Sequence, residues 1–475
     1  MKGMILLWST TVIPQAKPPP CDQSSNICIS PTIFQLVFLC TSFGLISIGA
    51  GGNRSSSLAF GTDQLGEGDF RRRSGLKERY FSWYYASYTV SVLIALTCVV
   101  YIQDNLGWGV GFAVPAVLMF VGVLSFFLAS TFYVKVRSES SLVAGFVRVA
   151  VASCRNRHLE LSEGADYMWY CKNGSTLVLP SRNLRFLNKA CIVRDPERDL
   201  TSDGRPKDPW SLCTVDQVEE LKTLLRVIPI WSTGMIMSVN ISQNSFPLLQ
   251  AVSMDRHVTS SFTIPPASFS TFTVIAVILW IAVYDRVFLP LASRIMKKPV
   301  RISTKRRMGV GIFFSFLTMT VSAMVEAIRR SFALRGGISD RPTASLHMSA
   351  FWLVPQYCLT GLAEASSVIA QNEFYFSEFP RSMSSIALTL NGIGASFANL
   401  IASFIMNSAD SISKAGGGDG WISSDINKGR YDYYYLVLAG LSMANMVYFV
   451  VCSRAYGPLQ EERKVGEEDG VSIMS

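Results

Sequence analysis

Apolar residues along this chain come in long runs separated by polar stretches. Ile33–Gly52, Tyr80–Ile102, Trp108–Val134, Ile228–Val239 with its apolar flanks, Thr263–Tyr284, Met308–Val325, Ala344–Ala363, Met383–Met406 and Tyr433–Cys452 each read as one run. A hydrocarbon core of about 30 Å needs roughly 20 consecutive apolar residues in helical form. The pattern therefore predicts nine membrane-spanning helices. A further stretch, Met4–Ile13, is too short to cross and reads as the tail of a helix. It is no signal peptide, because Lys2 alone is a meagre basic region and "IPQAKPPPC" is a poor cleavage site.

Composition agrees with a membrane protein. The 475 residues are 49% hydrophobic and 16% charged, against about a quarter charged in soluble domains, and the mean hydropathy is +0.30. The net charge of +9 is not spread over a face that would meet nucleic acid. It collects in two loops, Arg71, Arg72, Arg73, Lys77 and Arg79 in one, and Arg294, Lys297, Lys298, Arg301, Lys305, Arg306 and Arg307 in the other. Both belong in the cytoplasm by the positive-inside rule, and the even number of spans between them agrees. Arg329, Arg330, Arg335 and Arg341 conflict with this topology, since parity puts them outside if the Met308–Val325 helix ends where its apolar run does.

The one long polar region, Lys135–Lys222, divides the spans into an earlier group and a later six. Its mixed charge ("RDPERDLTSDGRPKD") and scattered apolar residues ("LRFLNKACIV") suit a linker of surface helices and turns, or a disordered one, better than a separate enzyme domain. Among the ten cysteines, Cys21 and Cys28 share a loop and could pair or stay free; most others lie in apolar spans. The three histidines, His158, His257 and His347, are isolated, and neither a phosphate loop nor a nucleophile elbow occurs. No metal, cofactor or enzymatic activity is therefore expected. "GWGVGF" and "NGIGASF" read as close-packing helix faces.

Charge within the spans remains. An ionisable side chain at the bilayer centre costs roughly 2.5–3.5 kcal/mol on insertion scales, so it usually faces a bundle interior or a watery cavity. Arg54 follows Ile33–Gly52 without a break, after Gly49, Gly51 and Gly52. It can serve a cavity or snorkel from a helix end, and "SSSLAFG" beyond it favours the cavity. Glu373 is the second candidate; Glu364, nine residues earlier, points to nearly the opposite side of a continuous helix. Glu378, beside Pro380 and Arg381, reads as a solvated end residue.

"GGNRSSSLAFGTDQL", "FSWYYASYTVSVLIA", "WSLCTVDQVEELKTLLRVIPIW", "QNSFPLLQA", "YDRVFLPLASRI", "FWLVPQYCLTGLAEA", "EFYFSEFPRSMSS" and "YDYYYLVLAGLS" occur in order. Together they resemble the plant nitrate transporter 1/peptide transporter family, the proton-dependent oligopeptide branch of the major facilitator superfamily. The resemblance implies an all-α membrane fold of two six-helix bundles with twelve helices, of which about nine are complete here and one partial. It implies an incomplete N-terminal bundle over 1–134, a cytoplasmic linker over 135–222, a C-terminal six-helix bundle over 223–454 and a tail over 455–475. It also implies uptake driven by a proton gradient, no cofactor, and a place in the plasma membrane.

By the same resemblance Arg54 sits at the basic position of the fourth helix and Glu373 at the acidic position of the tenth. A salt bridge between them would stabilise one state of an alternating-access cycle. The family's E-x-x-E-[RK] motif is absent, and Ile241 stands where one nitrate carrier has a substrate-binding histidine. Tyr84, Tyr85, Asn240, Gln243, Trp352 and Gln356 are candidate pocket-lining residues, compatible with nitrate, a dipeptide or a hormone acid such as gibberellin. The competing readings are a truncated form that does not transport and an interaction subunit of a full-length carrier. Expected partners are thus a small solute, protons and lipid, with homo- or hetero-oligomers open.

Overall fold

The computed structural model describes residues 1–17, 30–64, 76–134, 142–159, 180–181, 183–201, 206–260, 262–297, 303–336, 346–380, 383–415, 420–423 and 426–457. Cys21, Cys28, Arg71–Arg73, Lys298, Arg301, Arg341, Arg381 and much of the linker lie outside them, as do the side chains of Lys77 and Arg79. Among the described residues, eight helices are long and apolar enough to cross a bilayer. The contacts divide the chain into two compact units, one of residues 1–134, 233–371 and 391–450, the other of 135–232, 372–390 and 451–475.

In the first unit, α1 (Lys2–Val12) packs on α2 (Ile33–Asp63). A capping box starts α2: the Thr32 N–H donates to Gln35 Oε1 at 3.0 Å and the Gln35 N–H to Thr32 Oγ1 at 3.4 Å, which satisfies amide groups that the first turn leaves without partners. Then come α3 (Leu76–Ile94), a π-helical turn at Ala95–Val99, α4 (Val100–Leu106) and α5 (Trp108–Leu128). These early spans bury almost nothing, 6% of the apolar window of α2 and 0% of that of α5.

The second unit holds α6 (Leu142–Arg155), α7 (Arg185–Asn188) and α8 (Pro196–Asp199). Val149, Ala152, Leu187, Ala190, Cys191, Cys213, Val215 and Val218 form its core. α9 (Val215–Ile241) starts at a second capping box, in which the Thr214 N–H donates to Gln217 Oε1 at 3.1 Å and the Gln217 N–H to Thr214 Oγ1 at 3.4 Å. Helix formation therefore begins well ahead of the Ile228–Val239 run.

The later helices are α10 (Ser245–Ser253), α11 (Thr271–Val283), α12 (Leu289–Met296), α13 (Thr304–Arg335), α14 (Val354–Glu378), α15 (Ser384–Ala415) and α16 (Tyr431–Tyr456). Small strands β1 (Met254–Asp255) and β4 (Leu346–Ser349) pair in parallel, and β2 (His257–Thr259) pairs with β3 (Phe262–Thr263) antiparallel. Burial is concentrated in α13, half of whose apolar window is inside. Phe246, Tyr431, Tyr434, Tyr435 and Leu438 form one core of the first unit; Met254, Phe269, Leu346, Leu353 and Tyr357 form another. Gly311 lets α13 meet α14, because a Cβ there would lie 2.7 Å from the Ser367 backbone nitrogen.

Two sequence expectations are corrected. The span expected at Ala344–Ala363 is displaced: 346–349 is β4 and the helix runs from Val354 to Glu378. That helix carries Gln356, Ser366, Ser367 and Gln371 inside the protein, so its polar face, not lipid contact, sets its bounds. Met308–Val325 is the middle of a longer helix that ends at Arg335. Arg329 is thus not in an outside loop but fully buried within α13, which removes it from the charge conflict.

Candidate functional site

Polar side chains on four helices converge inside the first unit. A small cavity, with room for about one water-sized group (about 20 Å³), is lined by Asn240 near the end of α9, Gln243 and Asn244 in the turn after it, Pro247 of α10, Thr318, Met319 and Ser322 of α13, Gln356, Tyr357 and Thr360 of α14, and Tyr435 of α16. Three of the candidates read from sequence, Asn240, Gln243 and Gln356, therefore meet at one place. The Asn240 amide nitrogen donates to Ser315 Oγ at 2.8 Å and Ser442 Oγ at 2.7 Å, joining α9, α13 and α16. Gln243 Oε1 accepts from the Tyr434 hydroxyl at 3.2 Å.

Behind this cavity lies a network that sequence reasoning missed. Gln356 Nε2 donates to Gln250 Oε1 at 3.2 Å, and Gln250 Nε2 donates to Glu326 Oε2 at 2.6 Å. Arg329 holds the same carboxylate in a fork, with Nε to Oε2 at 2.8 Å and Nη2 to Oε1 at 2.7 Å. Both side chains are fully buried. The remaining guanidinium protons go to Asn427 Oδ1 at 2.8 Å, Ile426 O at 2.9 Å and Ser253 Oγ at 3.3 Å. An arginine has five N–H donors, and all five are used. The legible signal was the i, i+3 spacing of Glu326 and Arg329, which places both on one helix face.

The other candidates lie elsewhere. Arg54 is on an exposed part of α2, where Gly49, Gly51 and Gly52 have open space beside them. Tyr84 shares a hydrogen bond of 2.7 Å with Ser57 Oγ; the Tyr85 side chain is outside the described residues. Trp352 is 53% exposed and does not line the cavity. Glu373 is exposed and belongs to the second unit, Arg54 to the first. Glu378, expected to be solvated, is buried and accepts from the Tyr456 hydroxyl at 2.6 Å. The Tyr456 ring stacks under the Arg226 guanidinium at 4.4 Å, and Arg226 Nη2 donates to the Tyr456 carbonyl at 3.0 Å. A wholly apolar groove of about 430 Å³ lies between Thr97, Cys98 and Tyr101 on one side and Phe262, Pro265, Phe272 and Ile275 on the other.

The POT family pattern, PTR2, matches residues 1–422. The chain belongs to the POT family. It is 50% identical over 476 residues to Protein NRT1/PTR FAMILY 1.2 of Arabidopsis thaliana, covering 99% of this chain and 78% of that one. Protein NRT1/PTR FAMILY 1.1 of the same plant is also 50% identical, with 99% and 80% covered. Among solved structures, the POT family transporter PepTSo matches with a TM-score of 0.62 at 19% identity, over 89% of this chain and 79% of that one. An auto-inhibited POT family peptide transporter matches with a TM-score of 0.62 at 18% identity, over 96% and 82%. These structural likenesses show the fold. The POT family member described here is thus a helical integral membrane protein of the major facilitator type, a secondary transporter that moves small solutes with protons and not an enzyme.

Proposed function

We propose that this chain carries a small nitrogenous solute, nitrate or a short peptide, across the plasma membrane with protons, along a path that includes the Asn240–Gln243–Gln356 cavity. The observation that carries the reading is that cavity itself: uncharged hydrogen-bonding groups of four helices converge inside a unit whose outward surfaces are apolar. In hydrocarbon surroundings, polar side chains gathered in this way mark solute or ion pathways. Arg54 is assigned to anion attraction on the same reading, from its place within α2. The test is uptake into proteoliposomes that hold the purified full chain, with nitrate, dialanine or gibberellin outside and an inward proton gradient. Accumulation that collapses with a protonophore supports the reading. Equal accumulation with and without the gradient overturns it.

A second reading, an interaction subunit, is favoured by the near-complete exposure of α2 and α5. Co-purification with a full-length relative tests it.

A further inference from the structure

In the second unit, α6 has its two faces reversed for a helix that meets water. Its polar groups are turned inward: the Ser153 hydroxyl donates to the Leu187 carbonyl at 3.4 Å, and the Asn156 amide nitrogen, in the turn that follows, donates to the Lys189 and Ser211 carbonyls at 3.0 Å each. Arg194 Nη2 donates to the Asn156 side-chain oxygen at 2.7 Å. Facing out are Val143, Val147, Ala150, Val151 and Cys154, all exposed, and Val143 is 66% open. Spaced i, i+4, i+7, i+8 and i+11, they form one continuous stripe without a polar member, where a surface helix in water carries its polar face.

Charge and position say what covers it. From Leu142 to Leu159 the charged residues are Arg148, Arg155 and Arg157, with no acid among them. Arg155 comes within 3.5 Å of Asp208, but both side chains are at least half exposed, and such a pair is weak. On its inner side α6 shares a core with Val215 and Val218, and Leu221 packs against that core; all three stand on the first turns of α9, part of a candidate membrane span. Leu221 precedes Ile228, where the apolar run of α9 begins, by seven residues, about 10 Å of helix. A helix with its side chains is about 10–12 Å across, so α6 is held within reach of the headgroup layer.

We infer that α6 lies on the bilayer surface, with the Val143, Val147 and Val151 stripe in the acyl boundary of an anionic leaflet and its arginines among lipid phosphates, and so ties the linker to the membrane. Basic amphipathic helices bind in this manner, about 5–10 Å deep. The charge selects this occupant: cations without acids suit anionic headgroups, whereas a second copy would bring the same arginines together. The inference needs only that the chain is an integral membrane protein, so it is independent of which solute is carried.

The test places photoreactive benzoylphenylalanine at Val147 of the full chain in nanodiscs of equal phosphatidylcholine and phosphatidylserine, and reads adducts by intact mass and by peptide mapping after illumination. A lipid adduct at position 147 is expected, with phosphatidylserine exceeding phosphatidylcholine at least about fivefold, the factor that one arginine near an anionic surface supplies. Arg155→Gln/Arg157→Gln should bring that ratio below about twofold, as should 0.5 M salt, on the order of a 4 Å screening length. Val143→Asp/Val151→Asp alters exposed positions only, so the unfolding midpoint should hold while the lipid adduct is lost. Crosslinks from position 147 to another segment of this chain or to a second copy, or no adduct at all, would overturn the inference whatever the variants do. A phosphatidylserine preference that survives both the arginine changes and salt would overturn the role given to charge, and an adduct that survives the aspartates would overturn the role given to the stripe.

Discussion

Replacing Arg329 with methionine keeps a long apolar stem in α13 and removes the cation. The structure sets the size of the effect. Glu326 would keep a single neutral donor, Gln250, in a place with no exposure. Breaking a buried pair from one side costs about 3–5 kcal/mol. The Asn427 side-chain oxygen and the Ile426 carbonyl would also lose the N–H groups they accept from at 2.8 and 2.9 Å. Arg329→Lys supplies three donors where five are used, so at least two bonds are lost, for about 2–4 kcal/mol in all. The double variant Glu326→Met/Arg329→Met leaves no uncompensated charge and should cost less than Arg329→Met alone. The assay is a double-mutant cycle by reversible denaturation in mixed micelles, where a coupling of about 2 kcal/mol or more is expected. Additive single costs, or a loss under about 1 kcal/mol for Arg329→Met, would refute the argument that the pair is buried and mutually dependent.

Three further outcomes follow from the same structure. Gly311→Ala should destabilise by about 1–3 kcal/mol, since the new methyl would lie 2.5–2.9 Å from Ser367 atoms, two of them backbone; a midpoint equal to that of the unaltered chain would show that α13 and α14 can separate freely. Tyr456→Phe keeps the ring under Arg226 but withdraws a donor from buried Glu378, so amide exchange at Phe374–Phe379 should quicken, and unchanged exchange would argue against that bond. The hydrogen bond from His257 holds the exposed Asp255 carboxyl below its usual range. The contribution of that bond is present above the unfolded carboxylate value of about 4 and is lost as pH falls through the lowered folded value. In His257→Phe the Asp255 carbon resonance should therefore titrate at higher pH, and an unmoved titration would contradict the assignment of cause.

How much of this was legible in the sequence depended on whether the signal was local. The apolar runs are local, and eight of the nine predicted spans have an apolar helix at their position. The exception, Ala344–Ala363, failed because the apolar residues at its start pair as a strand and pack around Leu346 and Leu353 instead of facing lipid. Asn240, Gln243 and Gln356 could be picked out as polar residues on spans, but Gln250 and Asn427 could not. Their role exists only once α10 and the segment before α16 close on Arg329. Arg329 itself was misplaced into a loop because apolarity was taken to mark the end of its helix, whereas an internal carboxylate three residues back let the helix continue.

Arg329 also has a history during synthesis. Its partners Glu326 and Ser253 come before it in the chain, but Asn427 follows 98 residues later. At about 5–20 residues per second, the ribosome needs on the order of 5–20 s to make that segment. For this interval Glu326, on the same helix and already made, is the partner that can answer the charge of the guanidinium. The last three helices then arrive at a site whose first half is waiting. A chain stopped between Arg335 and Asn427 would thus lack the acceptors that Asn427 and Ile426 supply to the guanidinium.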